Sequence, residues 1–398
     1  MFSPANQTPL SLTIDGFEPD FQVLAFTGEE AINRPYFFNL ELVGEEAGLD
    51  LQRLFDTEAF LAFGTQGEGI HGRVYHIAQR GKGRYNLALV PHLSYLRHRL
   101  NRRVYQQYSV PDIVALILEE HGILGGAYRF HLRATYPKRE CCTQYDETDL
   151  HFIQRLCEEE GIHFHFQHSP QGHVLVFGDE LAAFPRGAQV TAKRQGNDRP
   201  TKAQRGQPCH PGLAAFDRAA LEHGHETYLH TEGRGDQTWL ASGQVVPISG
   251  TLGQERNDLW LLTRVIHEGK QPQVLRDKTA LGSTGSQDDF DQGYRNRFTA
   301  LPWDRPYRPP VAHRKPLVPS TQTAVVIAVE GEEARPARVK VKFPWDREGR
   351  FDDKSSCWLD ASHWQCEAIL LGPGTEVMVT FIDSDPCRPW IGACPCCG

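Results

Sequence analysis

The sequence predicts a mainly β protein with a minor α part. Apolar and polar residues alternate with a period of two along several short segments, which is typical of strands that bury one face. Glycine and proline are abundant, at 36 and 26 residues, whereas methionine occurs only twice. Two segments carry the apolar spacing of an amphipathic helix, so helices are expected to form the smaller part of the fold.

The first hundred residues carry the strand pattern repeatedly. The alternating segments are Leu10–Ile14, Phe21–Phe26 and Tyr36–Val43. Further along, we expect residues 69–77 to pair with residues 85–90 through a turn at Gly81–Gly83. Short strands joined in this way predict a barrel or a sandwich.

Two helices are predicted from their end signals. Ser109 can cap the first helix, and Pro111 stands in its first turn. Gly122 can end this helix. The second helix is expected from about Thr148, a candidate cap, to Gly161.

The C-terminal half is organised around a proline-rich segment. Residues 257–267 predict a buried strand that leaves a turn. Six prolines lie between Pro302 and Pro319, and proline fixes φ and extends the chain. We therefore expect a first region over residues 1–300, a linker over 301–319 and a second domain over 320–398.

Length and charge limit the classes of function. With 398 residues the chain can form two or three domains with cores of their own. Its formal net charge of −8 argues against a nucleic-acid partner, because nucleic-acid-binding proteins carry a basic electrostatic footprint. A local basic run does occur at Arg97–Arg103, and we interpret it as a solvated or interface face.

The sequence shows neither a targeting signal nor a membrane span. Residues 1–7 lack the basic and apolar regions of a signal peptide. The longest clean apolar run, Ile113–Leu118, is far shorter than the ~20 residues of a membrane span. We therefore expect synthesis in the cytoplasm, no stable membrane insertion, and export only by a machine that does not read signal peptides.

One tempting metal motif lies at His225–His230. A zinc protease needs two histidines at i and i+4, with a glutamate between them as base. Here Glu226 follows His225, but the second histidine is at i+5, about 140° past the first on a helix. This spacing does not place both imidazoles on one ion, so no metal site is expected there.

Four more histidines lie in a predicted hairpin whose strands are 162–166 and 173–177. These histidines are His163, His165, His168 and His173. On a strand His163 and His165 share one face, with the phenylalanines of the same strand on the other. We interpret the strand as half-buried with its phenylalanines inward, and we expect no metal role for the histidines.

Cysteines crowd the C-terminus. Cys394, Cys396 and Cys397 lie at the end of the chain, with Cys387 nearby, whereas zinc ribbons need two separated pairs. The sequence also shows no phosphate-cradling loop and no nucleophile elbow. We predict no catalytic, cofactor-binding or metal-binding residues, no cofactor, and a protein that is not an enzyme.

Several blocks of residues resemble the VgrG spike proteins of type VI secretion. Near the C-terminus the blocks are Arg338–Gly349, Ser355–Leu359, Gly372–Phe381 and Asp383–Pro389. They are similar to the small neck barrel of that family, and their order makes the match specific. Upstream, the matching blocks are Gln107–Val114, Tyr145–Leu150, Arg155–Ile162, Gly293–Asn296 and Trp303–Asp304.

The resemblance implies both an architecture and partners. Residues 1–300 would form a phage-tail-hub-like region of two β-barrels with helical insertions, and residues 320–398 an OB-fold neck. Three copies would form a homotrimer that caps an inner tube of Hcp-like protein. Such a protein is cytoplasmic when assembled and is then secreted or injected without a signal peptide.

Two departures from the family pattern shape this expectation. The family's chain usually continues past the neck into a triple-stranded β-helix, which carries a PAAR-type tip or an effector. This sequence ends at Gly398, so we expect no needle, no appended enzyme and no firm PAAR-type partner. The segments 195–255 and 363–368 are also shorter than in the family, which weakens the expectation of a trimer.

The predicted function is a structural part of the type VI secretion puncturing device, namely a trimeric hub and spike that helps to deliver effectors. Two alternatives stay open. The first is a baseplate hub of a phage or a phage-derived contractile tail, which the same fold would serve. The second is a hydrolytic effector within residues 195–255.

Overall fold

The computed structural model describes most of the chain in two compact units. The described residues are 10–17, 21–44, 50–81, 83–191, 231–249, 259–275, 290–304, 306–332, 335–346, 356–361 and 371–392. The first unit comprises Met1–Ser94, Ile123–Arg133 and Gly161–Pro310. The second unit comprises Tyr95–Gly122, Ala134–Glu160 and Val311–Gly398.

Strands predominate over helices, which confirms the predicted mainly β fold with a minor α part. The described strands are β1 (Ser11–Ile14), β2 (Gln22–Ala31), β3 (Arg34–Val43), β4 (Glu58–Ala62), β5 (Gly69–Gly81), β6 (Arg84–Val90), β7 (Leu100–Tyr105), β8 (Tyr128–His131), β9 (Cys142–Thr148), β10 (His163–Ser169), β11 (Gly172–Gly178), β12 (Val190–Thr191), β13 (Thr231–Gly235), β14 (Val245–Ser249), β15 (Leu259–Lys270), β16 (Gly293–Pro302), β17 (Gln322–Glu332), β18 (Arg335–Lys342), β19 (Cys357–Asp360), β20 (Glu376–Phe381) and β21 (Pro389–Ile391). The described α-helices are α1 (Val110–Glu120) and α2 (Asp149–Glu160). Neither of these helices is long and apolar enough to cross a membrane.

One large sheet forms the centre of the first unit. Its strands follow the order β1-β4-β5-β6-β3-β2-β15-β14-β12, and β16 joins β15 to β13. The alternation predicted for β3 is confirmed, because Tyr36, Phe38 and Leu40 are buried while the residues between them are exposed. Phe26 stacks on Phe63 with ring centroids 5.3 Å apart. Such buried aromatic pairs add about 0.5–1.5 kcal/mol to the effect of burial alone.

A smaller sheet in the same unit contains the predicted hairpin of β10 and β11, with β8 parallel to β11. The prediction that β10 is half-buried is wrong. Both faces of this strand are covered, and the buried side chains are His163, Phe164, His165 and Phe166. Tyr36 meets the Phe166 ring edge-on at 4.9 Å, while Phe184 stacks on the His163 ring at 4.0 Å. The histidine face is therefore part of the core.

Both predicted helices are confirmed in the second unit. The Ser109 hydroxyl accepts a hydrogen bond from the backbone N–H of Asp112 at 3.4 Å. In return the Asp112 carboxylate accepts one from the backbone N–H of Ser109 at 3.2 Å. At the start of α2 the Thr148 hydroxyl accepts a hydrogen bond from the N–H of His151 at 3.2 Å. Caps of this kind contribute roughly 0.5–2 kcal/mol each.

The second unit also contains a five-stranded antiparallel sheet in the order β19-β18-β17-β20-β21. The core of this sheet extends to the two-stranded ladder of β7 and β9. Val104 of β7 is buried in the same apolar cluster as Val339 and Val379, and Tyr145 of β9 packs against it. The sheet and the ladder therefore share one hydrophobic core.

The proline-rich segment is divided between the two units at Pro310 and Val311. Within the second unit, Glu158 of α2 accepts hydrogen bonds from the backbone N–H groups of Ala312 and His313, both at 2.8 Å. The units therefore differ from the contiguous regions expected from the sequence. Residues 95–122 and 134–160 group with 311–398 because they share a core and these polar contacts.

Candidate functional site

The basic run at Arg97–Arg103 is paired with carboxylates of the second unit. Arg99 Nε lies 2.6 Å from Asp149 Oδ2, and Arg103 Nη1 lies 2.8 Å from Glu120 Oε2. Arg103 is buried, so the prediction of a solvated or interface face is wrong for this residue. Carboxylates of the same unit therefore pair with Arg99, Arg102 and Arg103 of this run.

Asp149 is the centre of this network. Its carboxylate is fully buried and accepts hydrogen bonds from the side chains of His121, Gln144 and Asn101, each at 2.8 Å. Burial by itself would raise the pKa of Asp149. The hydrogen bond from His121 and the nearby Arg103 guanidinium outweigh that effect and hold this pKa below its ordinary value. Asp149 therefore remains ionised and joins α1, β7 and the start of α2.

A second buried network surrounds Arg155 on α2. The guanidinium lies 2.5 Å from Glu147 Oε1 and 2.7 Å from Glu159 Oε1. Burial would raise the pKa of Glu159, but Arg155 and Arg139 lower it below its ordinary value. These ion pairs fix α2 on β9, and their partners are protein groups, which indicates a structural role.

Of the four hairpin histidines in the first unit, His163 and His165 are buried, whereas His168 and His173 are half-buried. Burial lowers the pKa of His163 to about 4 and the pKa values of His165 and His168 to about 3. His168 Nδ1 accepts a hydrogen bond from the backbone N–H of His71 at 3.3 Å. His173 Nδ1 lies 3.1 Å from His71 Nδ1. Within the described ranges, no group of three or more His, Cys, Asp or Glu side chains is placed to hold a metal ion.

A cavity of about 330 Å³ opens beside these histidines in the first unit. Its polar lining includes Glu58, His71, Arg73, His92 and His173. The Glu58 carboxylate lies 3.8 Å from His71 Nε2, so the acidic and basic groups of the lining partly satisfy each other.

A chain of buried polar groups crosses the large sheet, and no sequence pattern predicted it. His267 Nε2 lies 3.1 Å from Glu30 Oε1, and His267 Nδ1 lies 2.6 Å from the Tyr294 hydroxyl. The backbone N–H of Ser242 donates to the same Glu30 oxygen at 3.0 Å. Burial raises the pKa of Tyr294, so its hydroxyl stays protonated. Glu30 and His267 are each 1% exposed, so bulk substrate does not reach this chain of groups.

Several predicted features lie outside the described residues. These are the His225–His230 motif, the cysteines Cys394, Cys396 and Cys397, the segment 363–368, and most of 195–255. Of the cysteines near the C-terminus, Cys387 is described. Cys387 is one of a cluster of cysteines in the second unit.

The five-stranded sheet exposes large apolar side chains on its outward face. Met378 of β20 is 40% exposed, and Trp390 of β21 is 41% exposed. Trp390 lies opposite Thr380 in the ladder, so these two side chains share one face of the sheet. Met378 is two residues before Thr380 on the same strand and therefore lies on that face as well. Ile382, just after β20, is also 40% exposed. This part of the second unit therefore presents three half-exposed apolar side chains to its surroundings.

Comparisons with known proteins agree over nearly the whole chain. The family described as phage tail baseplate hub (GPD) matches residues 29–208. Two spike proteins of type VI secretion in Pseudomonas aeruginosa are similar along 99% of this chain. VgrG4b is 47% identical over 458 aligned residues, and VgrG5 is 43% identical over 458. The chain spans 57% and 58% of the lengths of these two relatives.

A solved structure supports the fold independently. The E. coli c3393 protein is described as a component of the type VI secretion system with structural similarity to the bacteriophage T4 tail proteins gp27 and gp5. It superposes with a TM-score of 0.76 at 22% identity, covering 96% of this chain and 99% of that one. The expected phage-tail-hub-like fold is therefore confirmed.

Proposed function

Because the chain is a VgrG-like protein of the type VI secretion spike family, we propose that it works as a structural hub and neck of the puncturing device. In this role it caps the inner tube and helps to deliver effectors. The observation that carries the proposal is the 47% identity to a spike protein along 99% of this chain. The aligned part covers 57% of that relative, so the proposed role is that of the hub and neck.

The buried networks support a mechanical role. Asp149 and Arg155 each sit among charged partners that tie helices to strands in the second unit. In the first unit the Glu30–His267 pair links strands of the large sheet. Buried charge pairs are costly to break, because each leaves an uncompensated partner behind. A protein that has to stay folded under load gains from such contacts.

We assign no enzymatic activity to this chain. The polar clusters around Asp149, Arg155 and Glu30 are paired with protein groups, and VgrG4b and VgrG5 are named as spike proteins. The alternative of a hydrolase within residues 195–255 has a direct test. Purified protein would be incubated with peptidoglycan, peptides and lipids, and release of a product would establish an enzyme.

The proposed working form is a homotrimer bound to an Hcp-like inner-tube protein. A cyclic assembly with heterologous contacts closes into a ring that matches the end of a tube. The outward residues Met378 and Trp390 provide apolar surface for such contacts. The proposed domain plan keeps an OB-fold neck within residues 320–398, supported by the five strands of its sheet. A PAAR-type tip is not assigned to this part of the protein.

Light scattering and native mass spectrometry test the assembly. We expect the mass of a trimer at micromolar concentration, and we expect Trp390→Glu to shift the protein toward monomer. Leu124→Glu is the matched control, because Leu124 is 61% exposed in the first unit. A wild-type monomer at all concentrations would reject the trimer.

A secretion assay tests the function itself. Deleting the gene in the source organism should abolish release of the inner-tube protein into the medium, and expression of the full gene should restore it. The protein is proposed to be cytoplasmic in the assembled device and to leave the cell with the tube. The deletion strain used for this test should carry no other spike gene. Unchanged release of the inner-tube protein from that strain would overturn the proposal.

The second candidate is a hub of a phage or phage-derived contractile tail, and the match of residues 29–208 to the baseplate hub family favours it. The two roles differ in the tube that the hub caps. Co-purification with a type VI inner-tube protein supports the first role, whereas co-purification with a phage tail-tube protein supports the second.

A further inference from the structure

The second unit brings together four cysteines that are distant in sequence. Cys141 and Cys142 precede and begin β9, Cys357 begins β19, and Cys387 lies just before β21. All four are free thiols. Cys387 Sγ lies 3.3 Å from the backbone nitrogen of Thr143, the residue after Cys142. Cys141 packs against the apolar cluster that contains Cys357. The cluster therefore consists of two adjacent thiol pairs.

The two pairs differ in access and in charge environment. Cys387 is partly exposed, whereas Cys142 and Cys357 are buried. Cys387 Sγ accepts a hydrogen bond from the backbone N–H of Thr143 at 3.3 Å. The ammonium group of Lys315, which is paired with Asp385 at 2.9 Å, also lies close enough to act on this sulfur. A donor and a cation around a partly exposed sulfur are the surroundings of a reactive cysteine.

We propose that Cys142 and Cys387 form a reversible disulfide by thiol–disulfide exchange with low-molecular-weight disulfides, with Cys387 as the attacking residue and Cys142 as the resolving residue. The hydrogen bond from the backbone N–H of Thr143 places Cys387 Sγ beside the residue that follows Cys142, so the two cysteines are neighbours in the fold. The assignment concerns this chain as it folds and does not depend on its role in secretion.

The protonation states fit these roles. The hydrogen bond from Cys142, the ammonium of Lys315 and the N–H of Thr143 together lower the pKa of the Cys387 thiol below its ordinary value, against the effect of burial. The hydrogen bond with Cys387 and burial raise the pKa of the Cys142 thiol. Thiolates are the nucleophiles in exchange, so Cys387 attacks first. The Cys141 thiol has a raised pKa, from its hydrogen bond with Cys357 and from burial, so it stays protonated.

The exchange proceeds in two balanced steps. The Cys387 thiolate attacks one sulfur of oxidised glutathione, which forms a mixed disulfide and releases one glutathione thiolate. The Cys142 sulfur then attacks the Cys387 sulfur, its proton passes to the departing second glutathione, and the Cys142–Cys387 bond forms. Two protein thiols are oxidised to one disulfide, and one glutathione disulfide is reduced to two thiols.

The bond would tie two distant parts of the second unit. Thr143, next to Cys142, is 244 positions from Cys387. Cross-linking residues so far apart restricts the unfolded chain more than a short loop would. The oxidised protein should therefore hold the five-stranded sheet on the β7–β9 ladder more firmly than the reduced protein does.

A redox titration of the full-length protein tests the proposal. Reduced protein is equilibrated with mixtures of reduced and oxidised glutathione, the free thiols are alkylated, and peptides are mapped without reduction. We expect a Cys142–Cys387 linked peptide before any other linkage, and a higher melting temperature that dithiothreitol reverses. Cys387→Ser should lose both effects, whereas Cys157→Ala, a buried cysteine of α2, should keep both.

A second measurement separates the pair from nearby thiols. In the reduced protein at pH 7, iodoacetamide should alkylate Cys387 at least tenfold faster than Cys157, and Lys315→Met should slow that reaction. A variant with Cys394, Cys396 and Cys397 replaced by serine should still form the Cys142–Cys387 bond. A folded protein that forms no such bond with fully oxidised glutathione, or that links Cys387 to the terminal cysteines instead, would overturn the proposal.

Discussion

His267 and Glu30 meet inside the large sheet of the first unit, with His267 Nε2 3.1 Å from Glu30 Oε1, although they are 237 positions apart in sequence. They lie on the neighbouring strands β15 and β2. The same carboxylate oxygen accepts a hydrogen bond from the backbone N–H of Ser242. A charged group buried at this position favours one register of the two strands, because a slip would leave the carboxylate unpaired.

The first prediction concerns this pair. His267→Phe should destabilise the first unit by about 3 kcal/mol, since it leaves the Glu30 carboxylate buried with a single donor. Glu30→Gln should cost only about 1 kcal/mol, because the amide oxygen can still accept hydrogen bonds. Hydrogen exchange of peptides from β2 and β15 measures the effect. If both substitutions had the same small effect, the carboxylate would not be fixing the strands.

The second prediction separates the two tryptophans next to the five-stranded sheet. Trp345 stacks on Phe343 at 4.7 Å and meets Tyr145 edge-on at 5.4 Å. Trp358 instead faces the cations of Arg338 and Lys340. Trp345→Ala should therefore cost about 3 kcal/mol, near the lower end for removal of a large core side chain. Trp358→Ala should cost less, about 2 kcal/mol, the size of a partly desolvated cation–π contact, because Trp358 is half-buried and Lys340 is buried.

Limited proteolysis and urea unfolding measure the tryptophan effects. Because Tyr145 and Val104 share the apolar cluster of the sheet, Trp345→Ala should also speed cleavage within residues 134–160. Trp358→Ala serves as the matched control. Faster cleavage confined to residues 320–398 would show that the sheet and the β7–β9 ladder do not unfold together.

The third prediction concerns Arg155. Arg155→Leu should destabilise the second unit by about 3–5 kcal/mol, because it strips Glu147 of a buried partner. The double variant Arg155→Leu with Glu147→Leu should recover a large part of that loss, since no buried charge is left unpaired. Urea unfolding followed by circular dichroism gives both values. The loss of stability of the double variant is compared with the sum of the losses of the two single variants. If the two were equal, the lost ion pair itself, rather than the unpaired charge, would set the cost.

Local patterns in the sequence were enough to predict much of the fold. The period of two was sufficient to predict β3, which buries one face. The strands β1 and β2 also form where alternation predicted them, and residues 69–77 pair with 85–90 in the β5–β6 hairpin as expected. End signals at Ser109 and Thr148 were sufficient for both helices. By contrast, the sequence pattern indicated a basic run, and not a strand, at the position of β7. Its arginines point to acids that lie on α1, β9 and α2, and these pairings are set by tertiary structure.

Non-local contacts explain the remaining differences. The strand β10 was expected to be half-buried, but alternation cannot show that a second layer covers the histidine face. The second unit includes residues from 95–160 because Val104, Cys141 and Tyr145 pack in a core whose other members come from residues 318–391. The Thr143–Cys387 hydrogen bond and the Glu30–His267 pair each join residues more than 200 positions apart. Such pairs leave no periodic signal in a single sequence.

The last prediction is an acid sensitivity of the first unit. Burial lowers the pKa of His163 to about 4 and those of His165 and His168 to about 3 in the folded protein, against about 6.5 in the unfolded chain. Above pH 6.5 both states are neutral and these groups have no effect on stability. As the pH falls below 6.5, these histidines bind protons in the unfolded chain but not in the folded unit. The free energy of unfolding therefore decreases progressively down to pH 3–4.

Each such histidine should contribute a slope of up to about 1.4 kcal/mol per pH unit to the free energy of unfolding between pH 6 and pH 4.5. His168→Asn should remove one of these contributions, because the asparagine oxygen can still accept the hydrogen bond from the His71 N–H but does not titrate. His76→Asn, at an exposed position of β5, is the matched control.

Urea unfolding at several pH values, read by hydrogen exchange in β10 and β11, gives the slopes. The expected order is a shallower slope for His168→Asn than for the wild type and the control. Equal slopes in all three would mean that His168 is protonated equally in both states, and that its burial does not make the first unit sensitive to acid.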